Sequence, residues 1–311
     1  MTFWTKAIIQ KLISYLPGAR HINHAFQVLS GRFGLSDQEF KDKLIHLEHH
    51  LAHFQKLTKT TIPRRVLELG TGWFPVLPIG LYLIGSEHIV TVDIRPHLTK
   101  KHLLKTLRKF LEWHAKGDLY DRIPELDPHR LEKLNRYLKN NRAWALTDWL
   151  GVLRIYRHVG DLGSLVGRNI KFNLIISNNT LEHIPEKQLM HVFGICKKLM
   201  ESGSVSSHFI DMSDHYSHLD PSISNFHFLK FSDRTWKLIN NSIQPQNRLR
   251  IDAYRTLFKT ANHPVAIEIV RNAPPEDLEK VRLAKIFRAM KQEDILVTHA
   301  YLAGCLHETQ K

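Results

Sequence analysis

The sequence predicts an α/β fold built on an open, mostly parallel sheet, and three observations carry that prediction. From about residue 60 onward, short β-branched segments alternate with helical ones, the pattern of parallel strands joined by crossover helices. The first strand, "RVLEL", runs straight into the glycine turn "GTG". About twenty residues later "IVTVDI" closes a second strand on Asp93.

Taken in order, the residues up to about 60 read as helical, with Leu44, Leu47, Leu51 and Phe54 at helical spacing. Seven strands are predicted, at 65–69, 88–92, 153–159, 172–177, 205–210, 265–270 and 295–301. Helices are predicted between them, including 98–116, 128–140, 185–200 and 277–291. Two gaps are too long for simple crossovers. The expected organisation is a helical N-terminal extension over 1–60 and one domain over 61–311. Insertions at about 95–149 and 212–262 cover the ligand face.

With 43% apolar and 24% charged residues the 311-residue chain has the makeup of a folded protein. Its formal charge of +14 points to an anionic partner or to solvated lysines. No zinc-finger spacing or RNA-binding aromatic signature accompanies the charge. Cys196 and Cys305 are too few and too far apart for a disulfide scaffold or a structural zinc, which fits a reducing compartment. No apolar run reaches the length of a membrane span. A cytoplasmic protein is expected. The N-terminal "MTFWTKAIIQKLISYLPGA" has lysines inside its apolar pattern, unlike a signal peptide. It reads as an amphipathic helix, with Trp4, Ile8, Leu12 and Tyr15 or Leu16 packing on the rest of the chain; contact with a membrane surface is the lesser alternative. His46, His49, His50 and His53 stand at helical spacing, but without a partner acid beyond Glu48 they are not expected to hold a metal.

In an open parallel sheet, ligands bind beyond the carboxyl ends of the strands. Gly70 and Gly72 let the main chain approach a ligand there. Asp93 is placed to receive ribose hydroxyls. A dinucleotide site would need a third glycine three residues after Gly72, where Pro75 stands, and a P-loop would need G-K-S/T, which is missing. Glu68 would also repel a pyrophosphate. A ribose-bearing, cationic ligand without phosphate suits these residues, and S-adenosylmethionine is such a ligand.

"VLELGTG" resembles the first motif of the class I S-adenosylmethionine-dependent methyltransferases, whose sheet is Rossmann-like with helices on both faces. "TVDI", "HVGDL" and "FNLIISNNTLEHIPE" resemble the second, third and fourth motifs, in the family's order, over roughly residues 62 to 200. The resemblance implies that Glu68, Gly70, Thr71 and Gly72 line the methionine end of the cofactor. It implies that Asp93 holds the ribose with Ile94 against the adenine. It implies that Asp161 faces the adenine amino group with Leu162 beside it, and that Asn178 lies under the sulfonium. Phe74 departs from the pattern, standing where the family often has a third glycine. "SNNT" replaces the tetrad that N6-adenine DNA methyltransferases require, which argues against methylation of DNA bases.

Methyl transfer needs a positioned nucleophile, and a base only where the acceptor is protonated at neutral pH. After the fifth strand, "HFIDMSDHYSHLD" gathers Asp211, Asp214, His215, His218 and Asp220. His215 is expected to act as base, oriented by Asp214 or Asp211, with His183 as second candidate. Asp211, Asp214 and His215 could instead hold a divalent cation, but the fourth strand ends in Ser177-Asn178 without an acid, so no metal is expected. "NRLRIDAYR" brings Arg248, Arg250, Tyr254 and Arg255 together, a set suited to a phosphate or carboxylate on the acceptor. The expected activity is S-adenosylmethionine-dependent transfer of a methyl group, with S-adenosylhomocysteine as product, to oxygen or nitrogen of a small, anionic or glycan-like acceptor. RNA is the alternative acceptor. A non-catalytic scaffold and an NAD-dependent oxidoreductase are the rivals.

Overall fold

The structure is a computed structural model and describes residues 9, 11–15, 34–139, 145–217, 220, 222–242, 245–263 and 265–306. Its strands are β1 (Arg65–Leu69), β2 (His88–Asp93), β3 (Ile155–Val159), β4 (Phe172–Asn178), β5 (Met200–Asp211), β6 (Val265–Asn272) and β7 (Val297–Cys305). The helices are α1 (Asp37–Thr58), α2 (Val76–Leu83), α3 (Lys100–Lys116), α4 (Pro128–Lys139), α5 (Leu146–Val152), α6 (Glu186–Lys198), α7 (Asp233–Ile239), α8 (Ile251–Thr260), α9 (Pro275–Glu279) and α10 (Gln292–Leu296).

One seven-stranded sheet forms in the order β3-β2-β1-β4-β5-β7-β6. Strands β1 to β5 pair in parallel, and β7 runs antiparallel between β5 and β6. The order turns back between β1 and β4, and the chain leaves both strands at the same edge, so a ligand crevice belongs there. This is the Rossmann-like α/β architecture that the sequence predicts.

The central strands are buried on both faces because helices cover both. On one face α1, α2, α3 and α5 share a core containing Leu44, Leu83, Phe110 and Trp149. On the other, Leu162, Leu165, Ile195 and Leu199 close over Leu67, Val90 and Ile175. Helix α1 starts with a capping box at Ser36 and Glu39. It lies so close to α2 that a Cβ on Gly80 would stand 2.3 Å from a Leu47 methyl. The helical extension is therefore part of the main core, and it carries four histidines onto the sheet.

Three expectations on elements need correction. The helix expected over 277–291 is broken into α9, a 3-10 turn at Lys285–Phe287 and α10. The reason is tertiary: the N–H of Ala284 donates to the Leu229 carbonyl, and Leu278, Phe287 and Ile295 complete a small core with Phe226, Phe228 and Trp236 of the second insertion. The last strand consequently begins at Val297, not at 295. The second insertion ends before α8, which packs with α6 against the sheet through Tyr254, Phe258 and Phe193.

Trp4, Ile8 and Leu16 lie outside the described residues. Leu12 and Tyr15, expected to pack, are exposed, while Lys11 donates to the carbonyls of Lys237 and Asn240 at the end of α7. Among the described residues no helix is long and apolar enough to cross a membrane.

Candidate functional site

The glycine turn after β1 is fixed by geometry that only glycine tolerates. Gly70 has φ +84°, and a Cβ there would stand 2.2 Å from the Thr180 hydroxyl. Its N–H donates to Val92 at 2.8 Å, which ties the turn to β2. Gly72 has φ +62° with open space where a side chain would be. Its N–H donates to the Asp93 carboxylate at 3.0 Å, and the N–H of Arg95 donates to the other oxygen at 2.9 Å. Asp93 is thus held in place while each oxygen keeps lone-pair capacity for a further donor. Beside it the Ile94 side chain is 76% exposed, an apolar group left without cover.

Phe74, at the position of the family's third glycine, turns away from this space. It is buried beneath α2 against His102, with Lys105 over its ring. Thr71 is buried and hydrogen-bonds Thr91. Across the crevice, Gly160 donates to the Asp93 carbonyl at 3.0 Å and places Asp161 next to the end of β2. Asp161 stands at the N-cap position of the turn Leu162–Arg168, yet its carboxylate makes no capping hydrogen bond and is exposed. Leu162 is buried among core residues.

Two buried polar atoms on β1 and β4 lack a hydrogen-bond partner: Glu68 Oε2 and Asn178 Nδ2. An unpaired buried polar atom is costly, so each signals a missing partner. Burial pushes the Glu68 carboxyl above its ordinary range, against the pull of the Lys43 charge and a hydrogen bond from Thr91. Asn178 accepts from His50 at 3.0 Å, and His50 in turn bonds Ser207. The α1 histidines therefore serve the sheet: His53 also bonds Ser207, and His46 bonds Tyr301.

At the ends of β4 and β5 a second group of polar side chains assembles. Asn247 donates to the carbonyls of Leu181 and Ile184 at 2.9 Å and to Glu182 through its N–H at 2.7 Å, clamping the turn that carries Glu182 and His183. Glu182 is 1% exposed, and its carboxylate oxygens have no side-chain partner, only weak main-chain interactions at Glu182 and Asp211. Burial, reinforced by the Asp211 charge, raises its carboxyl well above the usual range. His183 is held with Nδ1 donating to the Pro245 carbonyl at 2.6 Å, which leaves the Nε2 lone pair facing the site. Burial lowers its basicity.

The His183 and His215 rings lie 5.0 Å apart, edge to face. Asp211 stands 3.6 Å from His215 and 3.4 Å from His299, and accepts from Ser213 at 2.6 and 2.8 Å. Burial alone would raise the Asp211 carboxyl, but these imidazoles and hydrogen bonds win and lower it. Donor atoms of Glu182, His183 and His215 all fall within 4.8 Å of one another.

Several sequence expectations are redirected here. Asp214 does not orient His215; it accepts from the N–H of Tyr216 at 2.9 Å and pairs with His227 at 3.3 Å. The acid beside His215 is Asp211. His218 lies outside the described residues. Arg248, Arg250 and Tyr254 do not present themselves to an acceptor. The Arg248 guanidinium donates to the Phe228 and Phe231 carbonyls and to Asp233. Arg250 is 1% exposed and holds the carbonyls of Met212, Ile295 and Val297, locking the end of β5 to α10. Tyr254 donates to Asn247 at 3.2 Å, supporting the turn of Glu182 from behind. Arg255 pairs with Glu268 and Asp294. Residues the sequence did not single out are Asn247, His299 and Lys43; nothing in their local sequence marks them.

No family model matches the chain. No curated protein matches it either. Solved structures do. It is similar to magnesium protoporphyrin IX methyltransferase from Synechocystis PCC 6803 with bound SAH, at 11% identity and a TM-score of 0.42, over 91% of this chain and 94% of that one. It is also similar to a SAM-dependent methyltransferase from Methanosarcina mazei, at 10% identity and a TM-score of 0.42, over 80% and 95%. A third is an O-methyltransferase family protein from Burkholderia thailandensis, at 11% identity and 0.42, over 95% and 61%. The fold rests on this chain's own strand order and direction, and the chemistry on its own residues.

Proposed function

We propose that this protein is an S-adenosylmethionine-dependent methyltransferase acting on an oxygen or nitrogen atom of a small acceptor. The observation that carries the reading is the glycine turn Gly70–Gly72 hydrogen-bonded to Asp93, with Glu68 Oε2 and Asn178 Nδ2 left without hydrogen-bond partners on β1 and β4. Those residues fit the cofactor group by group. Asp93 offers lone pairs to two ribose hydroxyls, and Ile94 offers an apolar face to a base. The Glu68 carboxylate has a vacancy for an ammonium, and the open space at Gly72 admits the methionine arm.

Bound there, the cofactor would supply a methyl group on a sulfonium centre. The protein's part is to orient and to exclude water. The turn 181–184, held by Asn247, sets Glu182 and His183 at the mouth where an acceptor enters. His183 Nε2 and the imidazole of His215 are the groups that could take or hold a proton there, with Asp211 positioning His215. With Arg248 and Arg250 engaged by main-chain carbonyls, the anionic character expected of the acceptor loses its main support. A glycan-like or other neutral hydroxyl acceptor agrees better with a site in which no arginine is turned toward the acceptor.

Calorimetric titration with S-adenosylmethionine, S-adenosylhomocysteine and NAD tests the reading. Saturable binding of the first two and none of NAD is the expected result. Binding of NAD alone would replace it with the oxidoreductase reading.

A further inference from the structure

Glu182 poses a physical problem that the methyl-transfer reading leaves unsolved. It is a carboxyl group 1% exposed, with no side-chain hydrogen-bond partner and only weak main-chain interactions at Glu182 and Asp211 to offset its burial, and a second carboxylate, Asp211, acts on it. Such a group is tolerated when it is neutral or when it holds a cation. Its surroundings are those of a metal site. His183 has Nδ1 fixed by a backbone carbonyl, the outer-shell bond that aims Nε2 at a metal. His215 approaches from the end of β5, and its donor atom joins those of Glu182 and His183 within 4.8 Å. Asp211 Oδ2 stands 3.6 Å from His215 Nε2, and Asp211 is itself anchored by Ser213.

We propose that Glu182, His183 and His215 bind one divalent first-row transition-metal cation, with open coordination positions turned toward the acceptor. Two imidazoles and one carboxylate suit manganese, iron, cobalt or zinc; magnesium and calcium prefer all-oxygen sets. Metal–ligand bonds of about 2.0–2.2 Å require the three side chains to close by roughly 1 Å, within reach of small side-chain rotations. The acid that the end of β4 lacks is supplied by Glu182, four residues beyond Asn178. The site adjoins the glycine turn, because Thr180 packs under Gly70 and donates to the Leu69 carbonyl. This deepens the functional reading and rests on it for the role of the cation, which would bind an acceptor oxygen and lower its pKa, so that its proton passes to solvent water before or as the methyl group is taken up. The histidines then hold the metal instead of taking the proton. Cation binding itself needs no methyl donor.

The test is a manganese(II) titration of chelator-stripped full-length protein, without methyl donor, followed by electron paramagnetic resonance. One manganese per chain is expected, with nitrogen couplings from two imidazoles in the pulsed spectrum. His215→Ala should remove one nitrogen coupling and weaken binding roughly tenfold or more. If that variant does not fold, the nitrogen couplings of the unmodified protein decide alone. Absence of saturable manganese or zinc binding up to about 1 mM, or a bound manganese with oxygen ligands only, would overturn the proposal and leave Glu182 as a neutral buried acid. So would undiminished binding by folded His215→Ala. Because S-adenosylmethionine binding is measured separately, loss of the metal site and loss of the methyl-donor reading give different results.

Discussion

Along the carboxyl edge of the sheet, the stretch from β1 to β3 presents main chain and partly exposed side chains with one buried acid, Glu68, whereas the stretch from β4 to β5 gathers several ionisable groups in its interior. In the first stretch Gly70, Gly72 and Asp93 are spaced within a few residues of strand ends and need little help from elsewhere. In the second, Glu182, His183, Asp211 and His215 depend on Asn247, Pro245 and Arg250 from the insertion, and Asn178 beside them depends on His50 of α1. Changes in the first stretch should therefore be read in ligand affinity, and changes in the second should be read first in stability.

The largest expected effect is on the buried half and follows from pH. Burial lowers the imidazoles of His53 and His263 from 6.5 to about 4 and that of His208 to about 3. The unfolded chain therefore takes up protons between pH 6.5 and 4 that the folded one refuses. The stability these groups contribute is present above pH 6.5 and is lost as pH falls toward 4. At pH 5 each costs roughly 2 kcal/mol as an upper bound. Urea unfolding at pH 7.5 and pH 5 should show a clear drop in midpoint; an unchanged midpoint would mean these histidines are not buried neutral.

Next comes Arg250→Met. It strips the Met212, Ile295 and Val297 carbonyls of their donor and should cost about 3 kcal/mol or more, read as a lower denaturant midpoint. Methyl-donor affinity of the molecules that remain folded should not change. Loss of affinity with unchanged stability would return Arg250 to the ligand.

Asp93→Ala should do the reverse and with a smaller energy. It should weaken S-adenosylmethionine binding by about 1–3 kcal/mol, roughly 5- to 150-fold by calorimetry. The unfolding midpoint should move little, since the Gly72 and Arg95 N–H groups can turn to water. An unaltered affinity would misplace the ribose.

The same contrast explains what could be read from the sequence. Strand β1, the glycine turn and Asp93 are local signals, and so is the alternation that predicts seven strands. Asp211, as opposed to Asp214, became the partner of His215 because β5 ends at Asp211 while the chain turns Asp214 inward toward Tyr216 and His227. Three residues along the chain decide that, and no local pattern reports it. The arginines of "NRLRIDAYR" look like an anion site in sequence, since nothing there shows that three carbonyls wait for Arg250. The histidines of α1 resemble a metal cluster by spacing alone, yet Ser207, Asn178 and Tyr301, more than a hundred residues away, engage them.

The most direct test of the central claim is a structure of the protein with S-adenosylhomocysteine bound. The account predicts the ribose hydroxyls within hydrogen-bonding distance of the Asp93 carboxylate, the base beside Ile94 and the methionine arm passing Gly72 toward Glu68. A ligand bound anywhere other than the crevice between β1 and β2, or one that makes no contact with Asp93, would contradict it.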